Sequence, residues 1–386
     1  MDRADVVVVG SGALGSAAAR SLGDRGVETV LLEQFRVGHV RGSSHGAGRI
    51  FRLSYEQEDY VRMAVDALEL WRDLERRAGE PLLIQTGGLD VGPDAGDCER
   101  AMRACGVESE WLSADEAVRR YPGVSVEGRA PVLYQEHFGV SLADKTVAAQ
   151  VNLARQGGVD VREETQATAI EPDPTGAVVR TPGGDVAART VVLAAGGWSR
   201  WILAQAVRAF ADGGGAPLPM PVVPEMIPTL QQVSYFAPLD PTMRWPTFIE
   251  RGPGLDWYSV PPEGGAAGVK VGRHLPGRRL DPSEGPFEVD PAEEEACAQF
   301  ARNNLPGVDP RPVATETCLY TMTADEDFVI DRIGPIVVAG GCSGHAFKFT
   351  PLIGEALADL ATGKEPNLPM QRFSAGRASL AAPFTV

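Results

Sequence analysis

Apolar residues along this chain follow two periods, and each change of period marks an element. Residues 6–9 are an unbroken run of valine ending at Gly10, which suits a parallel strand buried on both faces. Over 13–25 alanines and leucines recur at helical spacing and stop near Gly26. Residues 29–32 are a second apolar run, followed by Glu33. The order is strand, helix, strand. Residues 60–77 predict a long amphipathic helix with Met63, Leu68, Leu70, Trp71 and Leu74 available for burial. From Leu82 the pattern turns strand-like, with Gly87-Gly88 as a turn. Helical spacing returns over 142–156, ahead of a strand at 159–162. Residues 177–181 and 186–188 flank Gly183-Gly184 and predict a hairpin, and 190–195 predict a further strand ending at Gly196-Gly197-Trp198. From about 213 to 279, glycine, proline and aromatic residues crowd together, which predicts antiparallel sheet with turns. Residues 291–304 predict a helix, 336–341 a strand running into a glycine turn, and 352–362 a closing helix.

Length and charge narrow the picture. A chain of 386 residues supports a large core and two domains. A formal net charge of -16 repels phosphate backbones, so no nucleic-acid partner is expected. The five cysteines, Cys98, Cys105, Cys297, Cys318 and Cys342, are odd in number and include no CxxC pair. They predict neither a disulfide framework nor a metal site. The start of the chain lacks a basic, long apolar leader, and no apolar run is long enough to span a bilayer. A reducing, cytoplasmic protein without a membrane partner is expected.

The strongest local signal is Gly10-Ser-Gly12-Ala-Leu-Gly15, between the first strand and the first helix. In such a motif Gly10 allows the tight turn, Gly12 lets a pyrophosphate approach the backbone, and Gly15 lets helix and strand pack closely. The helix N-terminus then offers free amides to the phosphates. Glu33, at the end of the second strand and 18 residues past Gly15, sits where an acid accepts hydrogen bonds from a ribose. Dinucleotide binding is therefore expected. The motif by itself does not separate FAD from NAD.

Five further motifs occur in one order: Gly42-Ser-Ser-His-Gly-Ala-Gly-Arg-Ile-Phe-Arg52, Gly268-Val-Lys-Val-Gly-Arg-His274, Thr317-Cys-Leu-Tyr320, Asp325-Glu-Asp-Phe-Val-Ile-Asp331 and Gly344-His-Ala-Phe-Lys-Phe349. With the glycine fingerprint they make the chain resemble, nearly end to end, the monomeric sarcosine oxidase family of flavoproteins. That family includes oxidases of sarcosine, N-methyltryptophan, pipecolate and a cyclic imine of antibiotic biosynthesis. The resemblance implies an α/β fold with a Rossmann-like FAD-binding domain of the D-amino acid oxidase type. It also implies a substrate domain with a large, mostly antiparallel sheet and helices. The cofactor domain is expected to be discontinuous, about 1–85, 145–215 and 318–386, and the substrate domain to cover about 86–144 and 216–317.

The family's residue roles carry over position by position. Cys318 is implied as the covalent flavin anchor, through sulfur to the 8α carbon of the ring; a basic neighbourhood would favour the thiolate this needs. His45 and Arg49, with Ser43, lie in the segment that covers one face of the flavin, and the first two are expected as cations. Relatives usually carry Asp-Thr where this chain has Ala47-Gly48, so Arg49 is expected to be held differently. Arg52 and Lys348 align with the pair that holds the substrate carboxylate, the guanidinium by two parallel bonds and the ammonium as a point charge. Lys270 aligns with the lysine that activates oxygen. His274, Tyr320 and Tyr258 line the implied substrate cavity, and a histidine of ordinary pKa, near ~6.5, would change charge in the working range. Gly344 and His345 belong to the segment that covers part of the flavin.

The activity implied is oxidation of a secondary amino acid to an imine that water hydrolyses, with O2 reduced to hydrogen peroxide by a monomer. A second reading is an oxidase of a cyclic or bulkier secondary amine in a biosynthetic pathway. The residues also leave room for a flavin dehydrogenase that avoids oxygen and for a flavin-holding protein without turnover. The cavity wall between Pro217 and Pro262 is where the two oxidase readings would part.

Overall fold

The computed structural model describes residues 1–129, 131–212 and 223–381. Its first sheet runs in the order β10 (Ala169–Asp173), β11 (Gly176–Arg180), β12 (Val186–Leu193), β1 (Asp2–Val9), β2 (Thr29–Leu32), β9 (Asp160–Arg162). The strand β19 (Ile336–Gly340) also pairs β12, and β18 (Val329–Ile333) pairs β19. Strands β1, β2, β9, β12 and β19 pair in parallel. The valines of β1 divide by parity: Val6 and Val8 enter one core and Val7 and Val9 the other. That is the period of a strand buried on both faces.

Helices α1 (Ala13–Asp24), α2 (Glu58–Ala78), α5 (Ala143–Gln156) and α8 (Thr350–Ala361) build the first core. The other face is covered by α6 (Ser199–Asp212) and by the β10–β11 ribbon. The predicted hairpin and the strand after it are one element. Residues 186–188 of β12 pair antiparallel with β11, and residues 191–193 pair in parallel with β19. A single extended segment thus serves two partners along one edge, which alternation alone does not reveal. In α2, Met63, Trp71 and Leu74 are buried as predicted, whereas Leu68 and Leu70 are only partly covered.

The second sheet runs β17 (Val308–Met322), β13 (Ile227–Pro238), β16 (Val269–Arg273), β15 (Trp257–Val260), β14 (Thr247–Glu250), β5 (Gly88–Val91), β7 (Val132–Gln135), β6 (Glu110–Leu112). It is antiparallel except where β14 meets β5. The expected antiparallel strands of 213–279 begin at Ile227, and 213–222 lie outside the described residues. Helix α7 (Pro291–Asn304) shares the core of this sheet with Phe236, Phe248 and Trp245. It opens on Asp290, whose carboxylate accepts from the Ala292 amide at 2.9 Å, and on Pro291. A small sheet, β3 (Gly48–Phe51), β8 (Gly139–Leu142), β4 (Leu83–Gln85), completes the strands. Helices α3 (Ala95–Ala104), α4 (Ala114–Arg120) and α9 (Met370–Phe373) are shorter. The domain boundary expected between 317 and 318 falls inside β17, a strand of the second sheet. No described helix is long and apolar enough to cross a membrane.

One contact ties α2 to the segment that carries Lys348. The buried Trp71 indole donates to the Lys348 carbonyl at 2.7 Å, in the turn Phe347–Phe349. Trp71→Phe keeps a ring in the core but leaves that carbonyl without this donor, so it should lower stability by about 1–3 kcal/mol. A fall in urea midpoint at constant slope checks this; an unchanged midpoint would show that the bond contributes nothing.

Candidate active site

A cleft opens where β1 gives way to α1. It is lined by Gly10, Gly12, Glu33, Ser43 and Ser44 at one end and by Cys318, Tyr320 and Gly344 at the other. A Cβ built on Gly15 would lie 1.8 Å from the Gly10 carbonyl oxygen, so only glycine lets α1 come this close to the turn. The α1 N-terminus has no acid in its first turn. The Ala13 amide donates instead to the Ser44 hydroxyl at 2.9 Å. Glu33 is buried and held from both oxygens: Ser11 N and Oγ donate to Oε2, each at 2.9 Å, and the Phe35 amide donates to Oε1 at 2.9 Å. A carboxylate has about four acceptor positions, so it keeps capacity for a ribose hydroxyl.

The cleft joins a second cavity of about 420 Å³. Arg49, Cys318, Tyr320, Gly344 and Phe347 line both. Strand register builds the far wall. Alternate residues Glu316, Cys318 and Tyr320 of β17 share one face. Across β13 that face continues into β16 and β15, where Gly272 opposes Tyr258 and Lys270 opposes Val260. Gly344 has φ 77°, and a Cβ there would strike the Tyr320 ring at 2.3 Å.

Arg49 is held by main-chain carbonyls: Nη2 donates to Ser43 O at 2.9 Å and His45 O at 2.6 Å, and Nη1 to Gly48 O at 2.9 Å. Ala47 and Gly48 offer it no side-chain acceptor. The glycine is also set by packing, since a Cβ at 48 would meet Val140 Cγ1 at 2.5 Å. Lys270 Nζ donates to the Gly48 carbonyl as well. Burial, then Arg49, lowers its ammonium to about 7, against opposing pulls from Cys318 and Glu316. Burial raises the Cys318 thiol, with Arg49 and Lys270 pushing back.

Arg52 lies over the Tyr55 ring at 3.9 Å and donates from Nη1 to Ser54 O. Lys348 is buried, donates to His345 O at 2.7 Å, and lies 5.6 Å from the Tyr55 ring centroid. Burial, then Arg52 and Arg251, pushes its ammonium well below the usual lysine range. None of Arg49, Arg52, Lys270 and Lys348 forms an ion pair with a carboxylate among the described residues.

Two expected charges are corrected. His274 lines the second cavity, with its ring 5.7 Å from Tyr320, but enclosure and the nearby Arg52, Lys348 and Arg251 lower it to about 4. Enclosure and those cations thus pull His274 below the ordinary histidine value, toward the neutral form. His45 is likewise lowered to about 4, by burial and then Arg49, so it is not a cation; its Nε2 is buried without a partner. Tyr258 stays a phenol, pushed well above its usual range by burial and then by Tyr320. His345 sits beside the cations, between Tyr55 Oη at 3.3 Å from Nδ1 and the Glu326 carbonyl at 3.0 Å from Nε2. The carbonyl accepts a hydrogen bond from Nε2–H, which leaves Nδ1 to accept from the Tyr55 hydroxyl.

The structure adds residues that no motif marks. Tyr55, Ser54 and Arg251 sit with the cations, and Glu316 accepts from the Tyr235 hydroxyl at 2.8 Å beside Cys318. Ser44, inside a recognised segment, was legible only as a neighbour of Ser43.

The residues present fit FAD: a turn that only glycine allows, a helix N-terminus, a buried carboxylate, and an orphaned His45 nitrogen at the cavity joined to the cleft. A family model described as FAD dependent oxidoreductase matches residues 5–360. The monomeric sarcosine oxidase of Bacillus sp. (strain NS-129) is 30% identical over 97% of this chain and 97% of its own length. The N-methyl-L-tryptophan oxidase of Salmonella heidelberg (strain SL476) is 27% identical over 97% of this chain and 99% of its own. The solved structure of NikD, an unusual amino acid oxidase essential for nikkomycin biosynthesis, superposes with a TM-score of 0.83 at 27% identity and full coverage of both chains. Cleft, glycine turn and full-length match agree: the chain belongs to the FAD dependent oxidoreductase family.

Proposed function

We propose that the protein is a flavin-dependent oxidase of a secondary amino acid, sarcosine or another N-methyl amino acid, with O2 as acceptor and hydrogen peroxide as product. The observation that carries this is Arg52 beside Lys348, two cations without carboxylate partners on the cavity that meets the cleft at Cys318. Such a pair suits a carboxylate, which restores the charge balance that the protein leaves open.

Bound FAD supplies the two-electron acceptor. Arg52 and Lys348 fix the substrate carboxylate, so positioning is a large part of the catalysis. The surrounding cations disfavour an ammonium beside them. The substrate amine therefore loses its proton on binding. Tyr258 and Tyr320 line the same cavity as the two cations and are read as its walls around the substrate. Lys270 presents its ammonium where negative charge develops on oxygen. We assign the covalent link to Cys318 Sγ, between Arg49 and Lys270. The first sheet and its helices are read as the cofactor domain and the second as the substrate domain. A cytoplasmic monomer is proposed, in keeping with five free thiols.

A second reading, a cyclic or bulkier secondary amine, is favoured by one observation. The cavity extends past the cations to an apolar wall of Ile249, Leu255, Trp257 and Leu275. Part of the expected specificity wall, 217–222, lies outside the described residues.

Anaerobic mixing with sarcosine tests the main reading. Rapid loss of the flavin absorbance band is expected. No loss at saturating sarcosine, with loss on a cyclic secondary amino acid, would move the assignment to the second reading. Cys318→Ser should release its flavin into the supernatant on acid precipitation, where the unaltered protein keeps flavin in the pellet; flavin in both pellets would rule out this cysteine. For Lys270 the sign follows from a lowered pKa: the ammonium is present below about 7 and lost above it. Reoxidation by O2 should slow as pH rises through about 7, or somewhat higher when an anion sits beside the amine. Lys270→Met should be slow at every pH, and an unchanged profile in that variant would remove Lys270 from the oxygen step.

A further inference from the structure

Arg52 can hold a carboxylate only if its own guanidinium is held. Residues 52–55 lie outside helix and strand and form no main-chain to main-chain hydrogen bond among the described residues. The Ser54 carbonyl, fully buried, is where Arg52 Nη1 donates. Arg251 donates to the same group: its Nη2 lies 3.2 Å from Ser54 O and 3.2 Å from Ser54 Oγ.

Arg251 is itself fixed by the sheet. Strands β14 and β5 run in parallel with Ile249 opposite Asp90. Arg251, two residues beyond Ile249, therefore shares the face of Asp90. Its Nε donates to Asp90 Oδ1 at 2.7 Å, and the two side chains are 12% and 0% exposed. The Arg251 main chain is pinned as well, its amide donating to Val91 O at 2.7 Å. Asp90 also keeps Arg251 from competing for the ligand, since Arg251 lines the same cavity as Arg52 and Lys348 and would otherwise be a third open cation there. The order of support runs from the sheet to Asp90, Arg251, Ser54 and then Arg52.

We propose that Arg251, oriented by Asp90, is a positioning residue that sets the Arg52 guanidinium toward the substrate carboxylate through Ser54. The proposal rests on the reading of Arg52 as the carboxylate anchor. It implies that the substrate site is shaped by the second sheet through a side chain that does not itself hold the ligand.

The test uses holoenzyme variants Arg52→Gln, Arg251→Gln, Arg251→Lys and the Arg52→Gln/Arg251→Gln pair. Acetate binding, read from the flavin spectrum, is measured beside sarcosine kcat and KM. Arg251→Gln should weaken acetate binding and raise KM by about tenfold, the scale of a charge-assisted hydrogen bond. It should leave kcat within about threefold and flavin content unchanged. Adding it to Arg52→Gln should change acetate binding little, because both act through one guanidinium. Arg251→Lys should recover part of the loss. Arg251→Gln leaves Asp90 buried and unpaired, so Asp90→Asn/Arg251→Gln, which removes both charges, serves if the single variant does not fold; the same rise in KM is expected. Additive losses in the Arg52 pair, or unchanged acetate binding in Arg251→Gln, would overturn the proposal. Unchanged acetate binding in Arg52→Gln would overturn the anchor itself, and the proposal with it.

Discussion

Four cations, Arg49, Arg52, Lys270 and Lys348, lie at the seam between the two large sheets, and each is bonded to main-chain carbonyls rather than to a carboxylate. In a chain of net charge -16 acids are plentiful, so the arrangement is not for want of partners. Carbonyl dipoles solvate a cation without cancelling its charge. The site therefore stays positive and ready for anions, at a desolvation cost the rest of the fold offsets. Most of the local architecture follows from presenting those carbonyls. Ser43, His45 and Gly48 turn theirs toward Arg49 and Lys270, Ser54 toward Arg52, and His345 toward Lys348.

The same concentration of positive charge sets the protonation of its neighbours. His274 and His45 are held at about 4, and Lys270 at about 7, because each enters a region already enclosed and already cationic. His274, which reads as a switch in isolation, and His45, which reads as a cation, are both drawn toward the neutral form. Lysine, with an ordinary pKa near ~10.4, is brought into the range where its proton can respond. Cys318 is pulled both ways: enclosure holds its proton, while Arg49 and Lys270 favour the thiolate.

Geometry and charge come from different parts of the chain. The first sheet supplies the glycine turn and Glu33, the second supplies Lys270, Tyr258, Cys318 and Tyr320 on one face, and the turn before α8 supplies Lys348. Trp71 of α2 fastens that turn to the first core. The cleft and the second cavity thus share a wall of Arg49, Cys318, Tyr320, Gly344 and Phe347.

Much of this was legible in the chain itself. Gly10, Gly12, Gly15 and Glu33 announce a dinucleotide turn because its requirements are local: missing side chains, a strand before and a helix after. The parallel strands followed from unbroken apolar runs, since a strand buried on both faces cannot alternate, and the antiparallel sheet from the glycine, proline and aromatic residues crowded between about 213 and 279. Ordered motifs identified Arg52, Cys318 and Lys348 as chemically special. Sequence could not decide that 186–193 is one strand with two partners along one edge, because pairing depends on what lies alongside. Nor could it decide the charge of His274 and His45, because pKa is a property of enclosure and of cations up to 225 positions away in number but adjacent in space. Arg251 and Asp90 belong to none of the sequence motifs; only the pairing of β14 with β5 sets them side by side. Local steric demands are written residue by residue, whereas electrostatics and support depend on distances that only the folded chain creates.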